Sequence, residues 1–142
     1  MRQKLMIEDW VCHKDYPSIP IRVCGISKIL SFEHSLLWDE DKSKYVRIER
    51  YSECDYDEIR PIPITPEILE NNGFIEINDD EKWYKMQLLE ENDFVGLVKF
   101  EDCGWVFSAV VFPNLINRLS IKYVHELQHA LKLCEIEKSI EL

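Results

Sequence analysis

Residues 123–134 read Tyr-Val-His-Glu-Leu-Gln-His-Ala-Leu-Lys-Leu-Cys. The i, i+4 spacing of His125 and His129 brings two imidazoles to one side of a helix, and Glu126 stands where zinc peptidases carry their general base. Such a trio, with a third ligand, would activate a metal-bound water for hydrolysis. The rest of a zinc site does not follow. The extended motif asks for Gly and then His at the seventh and tenth places after the first His. Those places hold Lys132 and Glu135. The other common arrangement draws a Glu from a second helix well downstream, and only thirteen residues follow His129. Glu135, Glu137, His13 and His34 are left as third ligands, and nothing in their spacing singles one out. We therefore assign no catalytic, cofactor-binding or metal-binding residue from sequence. His125, His129 and Glu126 stand only as the metal-hydrolase alternative.

Other chemistry-bearing residues point the same way. His13 and His34 fall in β-patterned stretches and read as ordinary strand residues. The run Glu-Cys-Asp-Tyr-Asp-Glu (53–58) concentrates carboxylates but lacks the Gly and the spacing of a calcium loop, so it reads as a solvated turn. There is no Gly-rich phosphate loop and no G-x-S-x-G elbow. Five cysteines, Cys12, Cys24, Cys54, Cys103 and Cys134, are odd in number and none stands at C-x-x-C spacing, which fits small buried hydrophobes with reduced thiols. Trp10, Trp38, Trp83 and Trp105 lie in or beside alternating patterns and read mostly as core. One or two of them could line a peptide groove.

The elements that must position these residues follow from hydrophobic period. Alternation over 9–14, 19–27, 29–38 and 45–51, with an edge or connector at 58–64 carrying two prolines, predicts five short strands rolled into a small SH3-like barrel or sheet. Thr65, Pro66 and Glu67 open a two-turn helix that Asn72 and Gly73 close. Strands follow at 74–77, 82–89, 94–100 and 105–112, the last two joined through Glu-Asp-Cys-Gly and forming the most apolar stretch. A terminal amphipathic helix runs from about Ser120 to Cys134. Its apolar face carries Tyr123, Val124, Leu127, Ala130, Leu131 and Cys134, and its opposite face sets His125, His129 and Gln128 toward solvent. The class is α+β: a β-rich N-terminal half, a short helix, an antiparallel strand meander and a C-terminal helix. At 142 residues this is one domain, 1–142, divisible into a barrel subdomain 1–64 and a helix–strands–helix subdomain 65–142.

Charge bounds the partners. A formal net charge of −10, with Lys and Arg scattered among Asp and Glu, disfavours nucleic acid and anionic membrane as ligands. No apolar leader or bilayer-length run is present, so the expected compartment is the cytoplasm. Two stretches, Ile19–Phe74 (IPIRVCGI … RPIPITPEILENNGF) and Ile121–Glu137 (IKYVHELQHALKLCEIE), resemble a family of small proteins of unassigned activity from gut anaerobic bacteria and their phages or mobile elements. The resemblance covers most of the chain. It implies no catalytic residues, and members with another residue at the place of His129 imply that the His pair is not required. The expectation is thus a non-enzymatic accessory protein that contacts another protein, with no cofactor. A zinc-dependent hydrolase and an acidic DNA mimic are the alternatives.

Overall fold

The computed structural model describes residues 5–78, 82–88, 92–100, 104–111 and 114–142. Cys103, most of the expected turn at 101–104 and the ends Leu89 and Phe112 of two expected strands lie outside them. The chain divides into two compact units, Met1–Ile62 and Pro63–Leu142.

In the first unit β1 (Trp10–His13), β2 (Tyr16–Ile26), β3 (Leu30–Phe32), β6 (Ser52–Cys54) and β7 (Ile59–Pro61) form an antiparallel sheet in the order β6-β3-β2-β1-β7. Between β3 and β6 the chain makes a separate hairpin of β4 (Ser35–Asp39) and β5 (Lys44–Ile48). Val11, Ile21, Val23, Leu30, Phe32 and Ile59 make the core, with Leu36, Cys54 and Tyr56 packed against it. The sheet is open, so the closed barrel is not formed and the rolled sheet is. Its two edge strands are three residues each, Pro61 has no N–H to give, and a 3-10 turn at Tyr56–Glu58 occupies the link between them.

The long strand β2 does the rolling. Its start pairs with β1 through Tyr16 and His13, and its end pairs with β3 through Ile26 and Leu30. The register shifts between Val23 and Gly25, where a Cβ on Gly25 would lie 3.0 Å from the Cβ of Ser31. A bulge of this kind bends a strand and increases its twist. The stretch expected as one strand over 29–38 breaks at Glu33 and His34. There the Arg22 N–H donates to His34 Nδ1 at 3.3 Å, and the His34 ring stacks on Trp10.

The second unit begins with α1 (Pro66–Asn71), whose Thr65 cap accepts from the Ile68 N–H at 3.2 Å. Five antiparallel strands follow: β8 (Ile75–Asn78), β9 (Trp83–Gln87), β10 (Phe94–Phe100), β11 (Gly104–Val111) and β12 (Asn114–Ile121), in the order β12-β11-β10-β9-β8. One face of the sheet is buried: Tyr84, Met86, Val95, Leu97, Trp105, Phe107 and Ala109. The register places Val95 opposite both Met86 and Ala109, and Leu97 opposite both Tyr84 and Phe107. The Trp105 indole N–H donates to the Ile64 carbonyl at 3.2 Å, so even the largest core side chain is satisfied. The terminal helix α2 (Val124–Leu133) begins four residues later than expected, because Ser120 and Ile121 pair with Val106 and Trp105 as the end of β12. No helix among the described residues is long and apolar enough to cross a membrane.

Candidate functional site

The HELQH segment occupies the first two turns of α2, and its surroundings differ from the expected solvated face. His125 and Gln128 are both buried, each 5% exposed. For Gln128 the reason is the chain beyond the helix. Glu135, at φ 60°, ends α2 by letting the Ile136 N–H donate to the Leu131 carbonyl at 2.9 Å, and the chain then turns back. The side-chain amide of Gln128 clasps the returning segment: its Nε2 donates to the Lys138 carbonyl at 3.0 Å, and its Oε1 accepts from the Ile140 N–H at 2.8 Å. Asn72, just past α1, repeats the arrangement on Glu141, donating to its carbonyl at 3.0 Å and accepting from its N–H at 2.8 Å. Ile140, between the two clasps, is 1% exposed.

Glu126 is committed elsewhere as well. Its Oε1 accepts from the Lys122 and Tyr123 N–H groups at 3.0 and 3.1 Å, satisfying donors at the helix start. The His125 ring stacks on Tyr123 and meets His129 edge-on with centroids 5.6 Å apart. No third His, Cys, Asp or Glu among the described residues joins the pair to make a metal-sized cluster.

The cluster that does form lies in the first unit: His13, Cys54 and Glu58, whose ligand atoms all lie within 4.8 Å of one another. The sequence pattern predicts an ordinary strand residue at His13 and a solvated turn over Glu53–Glu58, and gives no sign of this meeting. His13 Nε2 and Glu58 Oε2 are 3.0 Å apart, and His13 Nδ1 accepts from the Asp15 N–H at 3.1 Å. That second bond leaves the imidazole proton on Nε2, which donates to Glu58. The hydrogen bond from His13, and after it one from the Asp55 backbone, holds the Glu58 carboxyl below the usual carboxylate range. Burial, seconded by the charges of Glu58 and Asp55, pushes the Cys54 thiol up. A straight β2 would hold its two ends about 30 Å apart, and with them His13 and Cys54. Their meeting is the measure of how far the sheet has rolled. No spacing rule reports this, because the residues belong to opposite ends of the coil.

Beside the cluster is an aromatic face. The His13 ring lies 5.5 Å from Tyr16, Tyr16 lies 4.6 Å from Tyr45 at 52°, and Tyr45 lies 5.2 Å from Trp38 at 72°. Trp38 and Tyr45 are directly paired across the β4–β5 hairpin and are 47% and 39% exposed. Arg47 fixes that hairpin to the sheet by donating to the Pro20 carbonyl at 2.9 Å and lying over Trp10 at 5.2 Å. A shallow polar pocket of about 290 Å³ elsewhere on this unit is lined by Arg22, Glu33, His34, Glu49, Arg50 and Tyr51. Its Arg22 is already paired with Glu33 at 2.8 Å. His34 there is held below its ordinary pKa, first by burial and then by the Arg47 charge.

What the fold and these sites define is an α+β protein of two antiparallel-sheet units, the second carrying both helices. No family model, no curated protein and no solved structure matches the chain.

Proposed function

We propose that the protein is a non-enzymatic accessory protein of the cytoplasm that binds another protein, and that the Tyr16–Trp38–Tyr45 face makes the contact. The occupant is an extended, proline-bearing segment of the partner. The observation that carries this is the exposure of Trp38 and Tyr45 while their rings remain in mutual contact on an anchored hairpin. Exposed aromatic rings with few rotatable bonds lose little entropy on binding and dominate interface energetics. Rings set at 52° and 72° to one another form walls between which prolyl rings stack, the mode by which aromatic grooves read polyproline II segments. The resemblance to small proteins of phages and mobile elements supports an accessory role. Calorimetric titration with a panel of extended proline-rich peptides tests the reading. Binding should weaken by about 2 kcal/mol for each of Trp38→Ala and Tyr45→Ala. Peptides that bind both variants as tightly as the wild type, or a panel with no binder at all, would sink it.

The second reading, an acidic mimic of DNA, draws on where the charge lies. Of 27 Asp and Glu, 15 fall in 63–142 beside 7 of the 17 Lys and Arg, which puts −8 of the −10 in that unit. It requires a basic partner whose affinity falls steeply with salt and is insensitive to Trp38→Ala.

A further inference from the structure

We infer that His13, Cys54 and Glu58 form a binding site for a divalent transition ion of zinc type, placed across the seam of the rolled sheet. The three donors differ in kind: an imidazole nitrogen, a thiolate sulfur and a carboxylate oxygen. That mixed set suits a borderline-soft ion and is unsuited to calcium or magnesium, which take oxygen ligands. Size agrees too. With zinc–nitrogen and zinc–oxygen bonds of about 2.0–2.1 Å and a zinc–sulfur bond of about 2.3 Å, the edges of a tetrahedral site are about 3.3–3.6 Å long. His13 Nε2 and Glu58 Oε2, now 3.0 Å apart, need to separate by only a few tenths of an ångström to flank an ion.

Strand pairing and the core bring these donors together: His13 is paired with Ile59 beside Glu58, the Lys14 N–H donates to the Glu58 carbonyl at 2.7 Å, and Cys54 packs against the core of the unit. His13 ends β1, Cys54 ends β6, and Glu58 ends the 3-10 turn that links the sheet's two edge strands. An ion held by all three closes by coordination a roll that hydrogen bonds leave open. Three protein ligands also leave a fourth position for water or for a donor from a partner.

Loading has a definite proton account. With Nδ1 accepting from the Asp15 N–H, the ring proton lies on Nε2; as Nε2 takes the metal, that proton passes to Nδ1. Nδ1 then turns from the Asp15 N–H to the Asp15 carboxylate, whose Oδ2 is 3.8 Å away, giving a carboxylate–histidine–metal chain. The Cys54 thiol supplies the one proton released to solvent, and Glu58 is already ionised.

Cobalt(II) titration of the full chain, with thiols kept reduced, tests the site. The expected result is one equivalent bound with a thiolate-to-cobalt charge-transfer band and about one proton released per ion. Zinc should displace the cobalt and raise the melting temperature. Affinity should fall more than about 100-fold in Cys54→Ser and Glu58→Gln and about 10–100-fold in Asp15→Asn, while His125→Ala and His129→Ala leave it unchanged. Circular dichroism of each variant confirms that it folds. A charge-transfer band that survives Cys54→Ser, binding lost in the His125 or His129 variant, or no thiolate band at all would each overturn the assignment.

Discussion

Gln128→Ala removes the clasp that gives the HELQH segment its place in the fold. Two hydrogen bonds go with it, one to the Lys138 carbonyl and one from the buried Ile140 N–H. Each is worth about 1 kcal/mol net, and a buried N–H that loses its acceptor costs about 1–3 kcal/mol more. Ile140, 1% exposed, loosens with its backbone. The sum is about 3–5 kcal/mol against the unit Pro63–Leu142, which at about 4–8 °C per kcal/mol for a unit of that size lowers its melting temperature by about 12 °C or more. Gln128→Met keeps the volume and removes both bonds, so it should cost nearly as much. Native-state hydrogen exchange reads the effect locally: the Ile140 amide should lose most of its protection before the amides of β10 and β11 do. If Gln128→Met is within about 0.5 kcal/mol of the wild type, the amide merely fills space and the reasoning fails.

Three further perturbations test other steps of the argument. Both helices end with a residue at positive φ, Gly73 at 89° after α1 and Glu135 at 60° after α2. Since a Cβ at Gly73 would meet nothing within 4 Å, Gly73→Ala should cost about 1 kcal/mol for conformation alone in urea denaturation. Glu135→Gly should gain a similar amount, and a loss there would mean that the Glu135 side chain holds something unseen. His34, whose folded pKa is depressed by burial and by Arg47, binds fewer protons folded than unfolded below about pH 6.5. Its contribution is therefore complete above that pH and is lost as the pH falls through the folded value. Melting temperature should decline on acidification from pH 7 to 5, less steeply in His34→Asn; equal slopes would refute the assignment.

What could be read from sequence was what short-range rules govern. The cap Thr65, the first-turn Pro66 and the stop at Gly73 predict α1 to within a residue, and the apolar run beside the Glu-Asp-Cys-Gly turn predicts β10 with its observed ends. β6 and β12 were missed because one is three residues long and the other mixes Asn, Arg and Ser with Leu and Ile, a pattern indistinguishable from a loop. The solvated face expected of α2 failed for a different reason. Helical period assigns sides of a cylinder, but Glu135, neither Gly nor Asn, turns the chain back, and the returning segment covers Gln128. Of the candidate sites, the HELQH spacing was visible and its burial was not. The His13–Cys54–Glu58 meeting depends on the curl of β2, which shows in the sequence only as Gly25.

The returning segment also sets an order of events during synthesis. The core of the second unit includes Ile140 and depends on backbone at Lys138 and Glu141, so it cannot be complete until nearly all of 63–142 has been made. The strands of the first unit's sheet, its hairpin and its His13–Cys54–Glu58 cluster are all supplied by residues up to Pro61. At about 5–20 residues per second, the ribosome takes several seconds to add the rest. For that interval the nascent chain holds every strand of the N-terminal sheet and every ring of its aromatic face, while the C-terminal unit still lacks the Ile140 side chain that its core includes.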